Sequence, residues 1–279
     1  MPEGDTVHRT ARRLHEALAG RRLVGADLRV PRLATVELVG WTVAECLSRG
    51  KHLLLRLRPP GPGTPLTLHC HLDMDGAFRV WPGTATPDAR RGHDARVVLQ
   101  TADATAVGYR VHDLDLAPTG AEDRFVGHLG PDLLDPAFDA GEAVRRLSSD
   151  PDTPVGAALL NQRHVAGIGN VYRSELLFLR GVWPWTPVSG VADLPGLVTL
   201  ARRVLTANRD RAVRTTTGSL RRGETLYVYG RAGRPCRRCG TLIRSGAVAG
   251  RVVYWCPACQ PEPHRDAGAQ DRTTGAAGT

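Results

Sequence analysis

Two groups of residues in this 279-residue chain have types and spacings suited to chemistry. The first is Cys236, Cys239, Cys256 and Cys259, written CRRCG...WCPAC, a C-x2-C-x16-C-x2-C pattern. Two thiolate pairs at that separation suit tetrahedral zinc, and four sulfurs leave no open position for water, so the spacing predicts one structural Zn. Disulfides are the alternative, and paired CxxC elbows in a chain expected in the cytoplasm argue against them. Cys46 and Cys70 sit in strand-like apolar runs and read as buried thiols. The second group opens the chain, MPEGDT. Gly4, Asp5 and Thr6 can be read simply as a helix entrance with Asp5 or Thr6 as N-cap. The sharper reading is that loss of Met1 would leave Pro2 as a secondary amine beside the Glu3 carboxylate, a pairing whose meaning depends on the rest of the chain.

A third candidate comes from composition. Net charge is +9 and the sequence pI about 9.9, with basic residues spread along most of the chain. A polyanion is the natural partner, a merely solvated basic surface the alternative. Of the 37 basic residues only Lys51 is lysine. A composition that converts lysine to arginine elsewhere leaves one where a compact ammonium does what the wide guanidinium fork cannot, near a reacting sugar or phosphate. Chance survival of that one lysine is the competing account.

The elements needed to position these residues are legible in outline. Val7, Ala11, Leu14 and Leu18 form a helical stripe closed by Gly20. From Arg21 to about Arg124, short β-type runs (LVGADLRV, HLLLRLR, LTLHCHL, AFRVW, ARVVLQ) alternate with Pro/Gly turns, which predicts a sandwich or barrel. Lys51 stands where one run begins. After HLGPDLLDPAFD the periodicity becomes helical, over GEAVRRLSS, VGAALLNQR, VYRSELLFLRG and LPGLVTLARRVLTANRDRAVR. The expected division is 1–129, 130–225, a finger over 226–260 and a disordered tail over 261–279. The finger's TLIRSGAVAGRVVYW reads as a hairpin turning between Ser245 and Gly250. Arg251 follows it, able to reach a phosphate or to be an ordinary surface arginine. No apolar run is long enough to cross a membrane and the first 30 residues lack a signal-peptide core, which places the chain in the cytoplasm.

Gly167, Ile168, Gly169 and Asn170 form a tight turn into a helix, with Asn170 as expected N-cap. Such a helix start can bind phosphate, although a plain αα-turn accounts for it equally well. Taken together, PEGD, RGKHLLL, LLNQRHVAGIGNVYRSELL and VYGRAGRPCRRCG...GRVVYWCPACQ, in this order over residues 2 to about 260, resemble the formamidopyrimidine-DNA glycosylase / endonuclease VIII family. The resemblance implies an α+β multidomain fold with an N-terminal β-sandwich, a helix-two-turn-helix domain and a C-terminal zinc β-hairpin finger. It implies a monomer holding damaged DNA in the cleft between domains, near the nucleoid, and excision of oxidised bases with cleavage of the abasic strand. Pro2 would be the nucleophile, Glu3 the acid/base and Lys51 a phosphate or proton-transfer group. Asn170 and Arg251 would hold phosphates of a bent duplex whose lesion is flipped out. Met74 matches the methionine that fills the resulting void, where a buried strand methionine is the bland alternative.

The chain also departs from the pattern. Asp5 stands where proline is usual and Thr6 where a second glutamate is common. VHDLDLAP lacks the Arg/Phe wedge of branches that remove 8-oxoguanine, and the segment TTTGSLRRGETLYVYG is short. Both tilt the expectation toward the endonuclease VIII branch and oxidised pyrimidines. A non-catalytic protein that binds bent or damaged DNA through its finger and basic surface is the rival reading, and an enzyme acting on RNA a third.

Overall fold

In the computed structural model, residues 2–84 and 89–263 are described. Met1 and most of the expected tail lie outside them. Helix α1 (Gly4–Leu18) buries Val7, Ala11, Leu14 and Leu18, the stripe legible in the sequence. The helix begins earlier than expected. Glu3 occupies the N-cap position, so neither Asp5 nor Thr6 is the cap; Asp5 lies in the first turn.

Eight strands follow: β1 (Gly25–Leu28), β2 (Thr42–Arg49), β3 (His52–Arg58), β4 (Leu66–His71), β5 (Ala77–Pro82), β6 (Ala95–Gln100), β7 (Ala104–Tyr109) and β8 (Asp113–Pro118). They form two antiparallel four-stranded sheets, ordered β1-β6-β7-β5 and β2-β3-β4-β8. Leucines from both sheets and from α1, among them Leu14, Leu53, Leu68 and Leu99, share one core. Cys46 and Cys70 belong to it, and burial pushes the Cys46 thiol up to about 12.

The helical part contains α2 (Asp123–Val126), α3 (Ala140–Ser148), α4 (Val155–Ala158), α5 (Asn170–Arg180) and α6 (Leu194–Asn208). Its separate core includes Leu147, Ile168, Tyr172, Leu176 and Leu197. α4 is only one turn long, shorter than the apolar run VGAALLNQR suggests, because Asn161 and Gln162 turn their side chains onto neighbouring backbone. The last element is the hairpin of β9 (Arg244–Val248) and β10 (Arg251–Trp255). Its turn is confined to Ala249 and Gly250, both with positive φ, so it is tighter than the expected span from Ser245. Phe178 of α5 packs with Cys236, Ile243 and Cys256 in a small third core.

Candidate active site

The start of α5 organises the site. Every helix begins with unpaired backbone N–H groups, and here they are taken by a carboxylate from the other end of the chain. Glu3, fully buried, accepts from Gly169 N at 2.9 Å, Val171 N at 2.7 Å and Tyr172 N at 3.2 Å. This corrects the expectation for Asn170: the N-cap position is Gly169, and Asn170 is the first helical residue. Gly169 has to be glycine because a Cβ there would collide with the Glu3 carboxyl. Gly167 adopts φ +106, which a side chain would strain, and its carbonyl accepts Gly4 N at 2.9 Å. The glycines of GIGN thus dock the first residues of the chain onto a helix terminus 166 residues away in sequence.

Burial raises the Glu3 pKa; Arg214 and the backbone hydrogen bonds of Val171 and Tyr172 oppose that without reversing it. A carboxyl poised above its ordinary range is suited to exchanging a proton. Pro2 lies immediately before it on the wall of a cavity of about 300 Å³ shared with Thr6, Met74, Arg211 and Arg214.

Lys51 reaches the same turn from the sandwich. Its Nζ donates to the Ile168 carbonyl at 3.2 Å, which also accepts from Gln162 Nε2 at 3.0 Å. The β2–β3 turn that carries it is pinned by Asp132, whose carboxylate accepts Gly50 N at 2.7 Å and Leu134 N at 3.0 Å. Burial and the nearby Arg251 lower the Lys51 pKa, Glu3 opposing. An ammonium so placed gives up a proton more readily than a solvated one.

Met74 is 62% exposed on the β4–β5 turn, facing the cavity with Pro2, so it is not a buried strand residue. Asn170 is buried: its Nδ2 donates to the Val252 carbonyl of β10 at 2.8 Å, and its Oδ1 accepts from Arg173. Arg173, completely buried, also donates to the Val252 carbonyl at 2.6 Å. Burial and the neighbouring Arg251 bring its pKa down to about 10. These contacts seat β10 on α5, with the exposed side chain of Arg251 at the head of the strand. Glu175, one turn further, accepts Tyr227 N, Val228 N and Tyr229 N, each at 2.8 Å.

The four cysteines Cys236, Cys239, Cys256 and Cys259 present sulfurs that all lie within 4.8 Å of one another. Four sulfurs each about 2.3 Å from a zinc ion stand about 3.8 Å apart in a tetrahedron, and Cys236 Sγ and Cys259 Sγ are 3.9 Å apart. The donor set fits zinc. All six cysteines are free of disulfides.

Sequence reasoning missed Arg214, Tyr172, Gln162 and Asp132, and read Asp5 only as a possible cap and a departure from the family pattern. The Arg214 guanidinium meets the Asp5 carboxylate in a two-pronged ion pair, at 2.8 and 2.5 Å, and Tyr172 donates to Asp5 Oδ2 at 2.9 Å. Burial works against ionisation of Asp5, but the hydrogen bonds and charge of Arg214 hold its pKa below the usual range. The one signal available in the sequence was Asp5 itself, a charge at a position expected to hold proline.

Comparison with known proteins agrees with this geometry. The family model described as the formamidopyrimidine-DNA glycosylase N-terminal domain matches residues 1–113, the H2TH domain of the same glycosylase 129–220, and the zinc finger found in FPG and IleRS 233–261. A "Probable endonuclease 8 2" of Streptomyces coelicolor is 53% identical over 94% of this chain and 95% of its own length. The "DNA-(apurinic or apyrimidinic site) lyase Nei2" of Mycolicibacterium smegmatis is 48% identical over 93% and 99%. A solved complex between the Lactococcus lactis Fpg and DNA containing an abasic site superposes with a TM-score of 0.77 at 25% identity, covering 94% of this chain and all of that one. A buried glutamate on a glycine-built helix start, a proline before it, a lone lysine on a carbonyl of the same turn, a four-cysteine finger and three matched domains make the chain a member of the formamidopyrimidine-DNA glycosylase / endonuclease VIII family.

Proposed function

We infer that Pro2, Glu3 and Lys51 carry the chemistry of this DNA glycosylase and AP lyase of base excision repair. The observation that supports the assignment is the seating of Glu3 on the α5 N-terminus, with Pro2 on the wall of the adjoining cavity and Lys51 on a carbonyl of the same turn. With Met1 removed, the Pro2 nitrogen is a secondary amine whose ordinary pKa near 8 leaves a sizeable neutral fraction at neutral pH. Its lone pair attacks C1′ of the damaged nucleotide while the bond from C1′ to the base breaks. The base leaves with that electron pair and takes up a proton supplied through Glu3. The Pro2 nitrogen then gives up its N–H proton, and its lone pair forms a double bond to C1′ as the C1′–O4′ bond breaks, O4′ leaving with that electron pair and taking up a proton; the resulting iminium between Pro2 and C1′ acidifies the 2′ hydrogens. Loss of a 2′ proton expels the 3′ phosphate, and a second elimination expels the 5′ phosphate. Lys51 lies where its ammonium can pair with a phosphate or relay a proton.

Zinc bound by Cys236, Cys239, Cys256 and Cys259 supplies folding energy to the finger and no step of the reaction. Asn170 bonds to the Val252 carbonyl, next in sequence to Arg251, at the junction of α5 and β10, and we assign Asn170 and Arg251 to the phosphates of the damaged strand. Met74 fills the space the flipped nucleotide leaves. The preferred lesions are oxidised pyrimidines: the relatives named endonuclease 8 and the VHDLDLAP segment, which lacks an Arg/Phe wedge, support that choice. The enzyme acts as a monomer in the cytoplasm, at the nucleoid.

The test is reductive trapping. Mature protein is mixed with an oligonucleotide carrying an abasic site, reduced with borohydride, and the cross-linked peptide mapped. An adduct on Pro2 is expected. Binding of the DNA without any adduct, with Met1 confirmed absent, would leave a non-catalytic DNA-binding protein instead.

A further inference from the structure

The molecule buries two carboxylates two residues apart, Glu3 and Asp5, and meets both with one guanidinium. We propose that Arg214 is a positioning residue of the catalytic pocket, which through Asp5 and Thr6 fixes the first turn of α1, and with it Pro2, and which sets the charge state of Glu3. This rests on the assignment of Pro2 and Glu3 given above.

The geometry is that of a clamp. Arg214 lies six residues beyond the last residue of α6 and about 200 residues along the chain from α1. Its Nε and Nη2 reach Asp5 Oδ2 at 2.8 Å and Oδ1 at 2.5 Å, and Nη2 also reaches Thr6 Oγ1 at 3.1 Å. Its plane lies over the Tyr172 ring at 4.8 Å, while the Tyr172 hydroxyl donates to the same Asp5 oxygen. Nη1 is left pointing toward Glu3 Oε1 at 3.9 Å. Arg214, Asp5, Tyr172 and Glu3 are each at least four-fifths buried, so their charges act through low-dielectric surroundings. Two of the departures from the family pattern, Asp5 and Thr6, are the two residues of α1 that Arg214 holds.

The charged and titratable groups around Glu3 come from every neighbouring element: Asp5 from α1, Lys51 from the β2–β3 turn, Tyr172 and Arg173 from α5, Arg214 from beyond α6, and Tyr229 from the start of the finger. Among them Arg214 is the main influence holding the Glu3 proton affinity down, and Asp5 pushes it up. Removing Arg214 therefore strengthens proton binding by Glu3 and, by deleting a cation beside the cavity, by the Pro2 amine as well. Removing the Asp5 charge does the opposite. Whether a step needs Glu3 ionised or protonated, the pH profile moves in the direction in which the proton affinity moves.

The experiment is single-turnover cleavage of abasic-site DNA by the full mature chain across pH 5 to 9, with folding checked by thermal melting. Arg214→Met is expected to move the profile upward by about 1 pH unit, the size expected for losing one opposite charge a few ångströms away. Arg214→Lys, which keeps the charge and loses the two-pronged geometry, should slow the reaction with the profile within a few tenths of a unit of the original. Asp5→Asn should move it downward. A folded Arg214→Met protein with an unmoved profile overturns the proposal. If Arg214→Met does not fold, an Asp5→Asn profile that stays in place overturns it, and a downward movement supports it. The unmodified protein is trapped with borohydride in parallel. Failure of that trap removes the Pro2 assignment and this inference with it, whereas an intact trap with unmoved profiles removes only the inference.

Discussion

At the scale of single residues, the site is assembled from groups whose environment makes them chemically unlike their exposed counterparts. Glu3 keeps a raised proton affinity because burial outweighs the donors around it, and Lys51 a lowered one because burial and Arg251 outweigh Glu3. The two are held to one turn, Glu3 on the N–H of Gly169 and Lys51 on the carbonyl of Ile168. The lone lysine of the chain thus occupies a place where a compact point charge is useful. Arginine at 51 would carry a wider planar fork that gives up no proton. Lys51→Arg is expected to lower single-turnover base excision by about 100-fold, at the low end for loss of a positioned proton-transfer group, while DNA affinity changes by less than about threefold. Equal rates for the two proteins would remove Lys51 from the chemistry, and an affinity loss that accounts for the whole effect would make it a phosphate contact only.

At the scale of elements, what was legible in the sequence and what was not separates by range. The stripe of α1, strands β1, β3, β4, β5 and β6, and the cysteine ligands follow from neighbours within a few residues. Strand β7, ATAVGY, is buried at every position, so it lacks the alternation that reveals a strand. β2 is interrupted by a register shift between Val43 and Glu45, and β8 carries two aspartates among its six residues. The cap of α5 was read as local, from Asn170, and is supplied from Glu3 instead; no periodicity signals a partner so distant. The outer face of β3 and β4 was equally invisible. His52 of β3 and His69 of β4 share a hydrogen bond of 2.8 Å with rings stacked at 5.1 Å, and His71 and His128 stand beside His52. Burial first, then the neighbouring histidines, depress the His52 pKa to about 3. The unfolded chain takes up this proton near pH 6.5, so acidification below that value favours the unfolded state until the folded protein also binds it near pH 3. The contribution is complete above about pH 6.5 and is lost progressively below it. His52→Gln, which cannot titrate, should therefore show a melting temperature that falls less between pH 7 and pH 5 than that of the unaltered protein. Parallel curves would mean that His52 is protonated in the folded sheet.

At the scale of the whole molecule, the finger is joined to the catalytic turn through α5 rather than directly. One face of that helix accepts the finger's backbone at Glu175, its first residues hold β10 through Asn170 and Arg173, and its N-terminus holds Glu3. The sandwich core contains no residue of the finger among the described residues. Removing zinc should for that reason separate binding from chemistry. Without metal the four cysteines cannot hold the hairpin, since folding and metal binding are one equilibrium in domains this small. Arg251, the phosphate contact proposed above, then loses its fixed place, and the proposed DNA interface loses one positive charge at a defined position. The chelated protein should bind abasic-site DNA at least about tenfold more weakly, and its log K should depend less steeply on log salt by about 0.9 for each phosphate that is no longer neutralised. At saturating DNA, borohydride trapping on Pro2 should recover most of its rate, because Glu3, Lys51 and the glycine turn are held by the sandwich and the helical core. Arg251→Ala in the zinc-loaded protein should flatten the salt slope by about 0.9, the share of a single phosphate, without the fall in stability. An unchanged slope after chelation would place the finger outside the DNA interface, and a trap that fails even at saturation would show that α5 transmits the state of the finger to the catalytic turn.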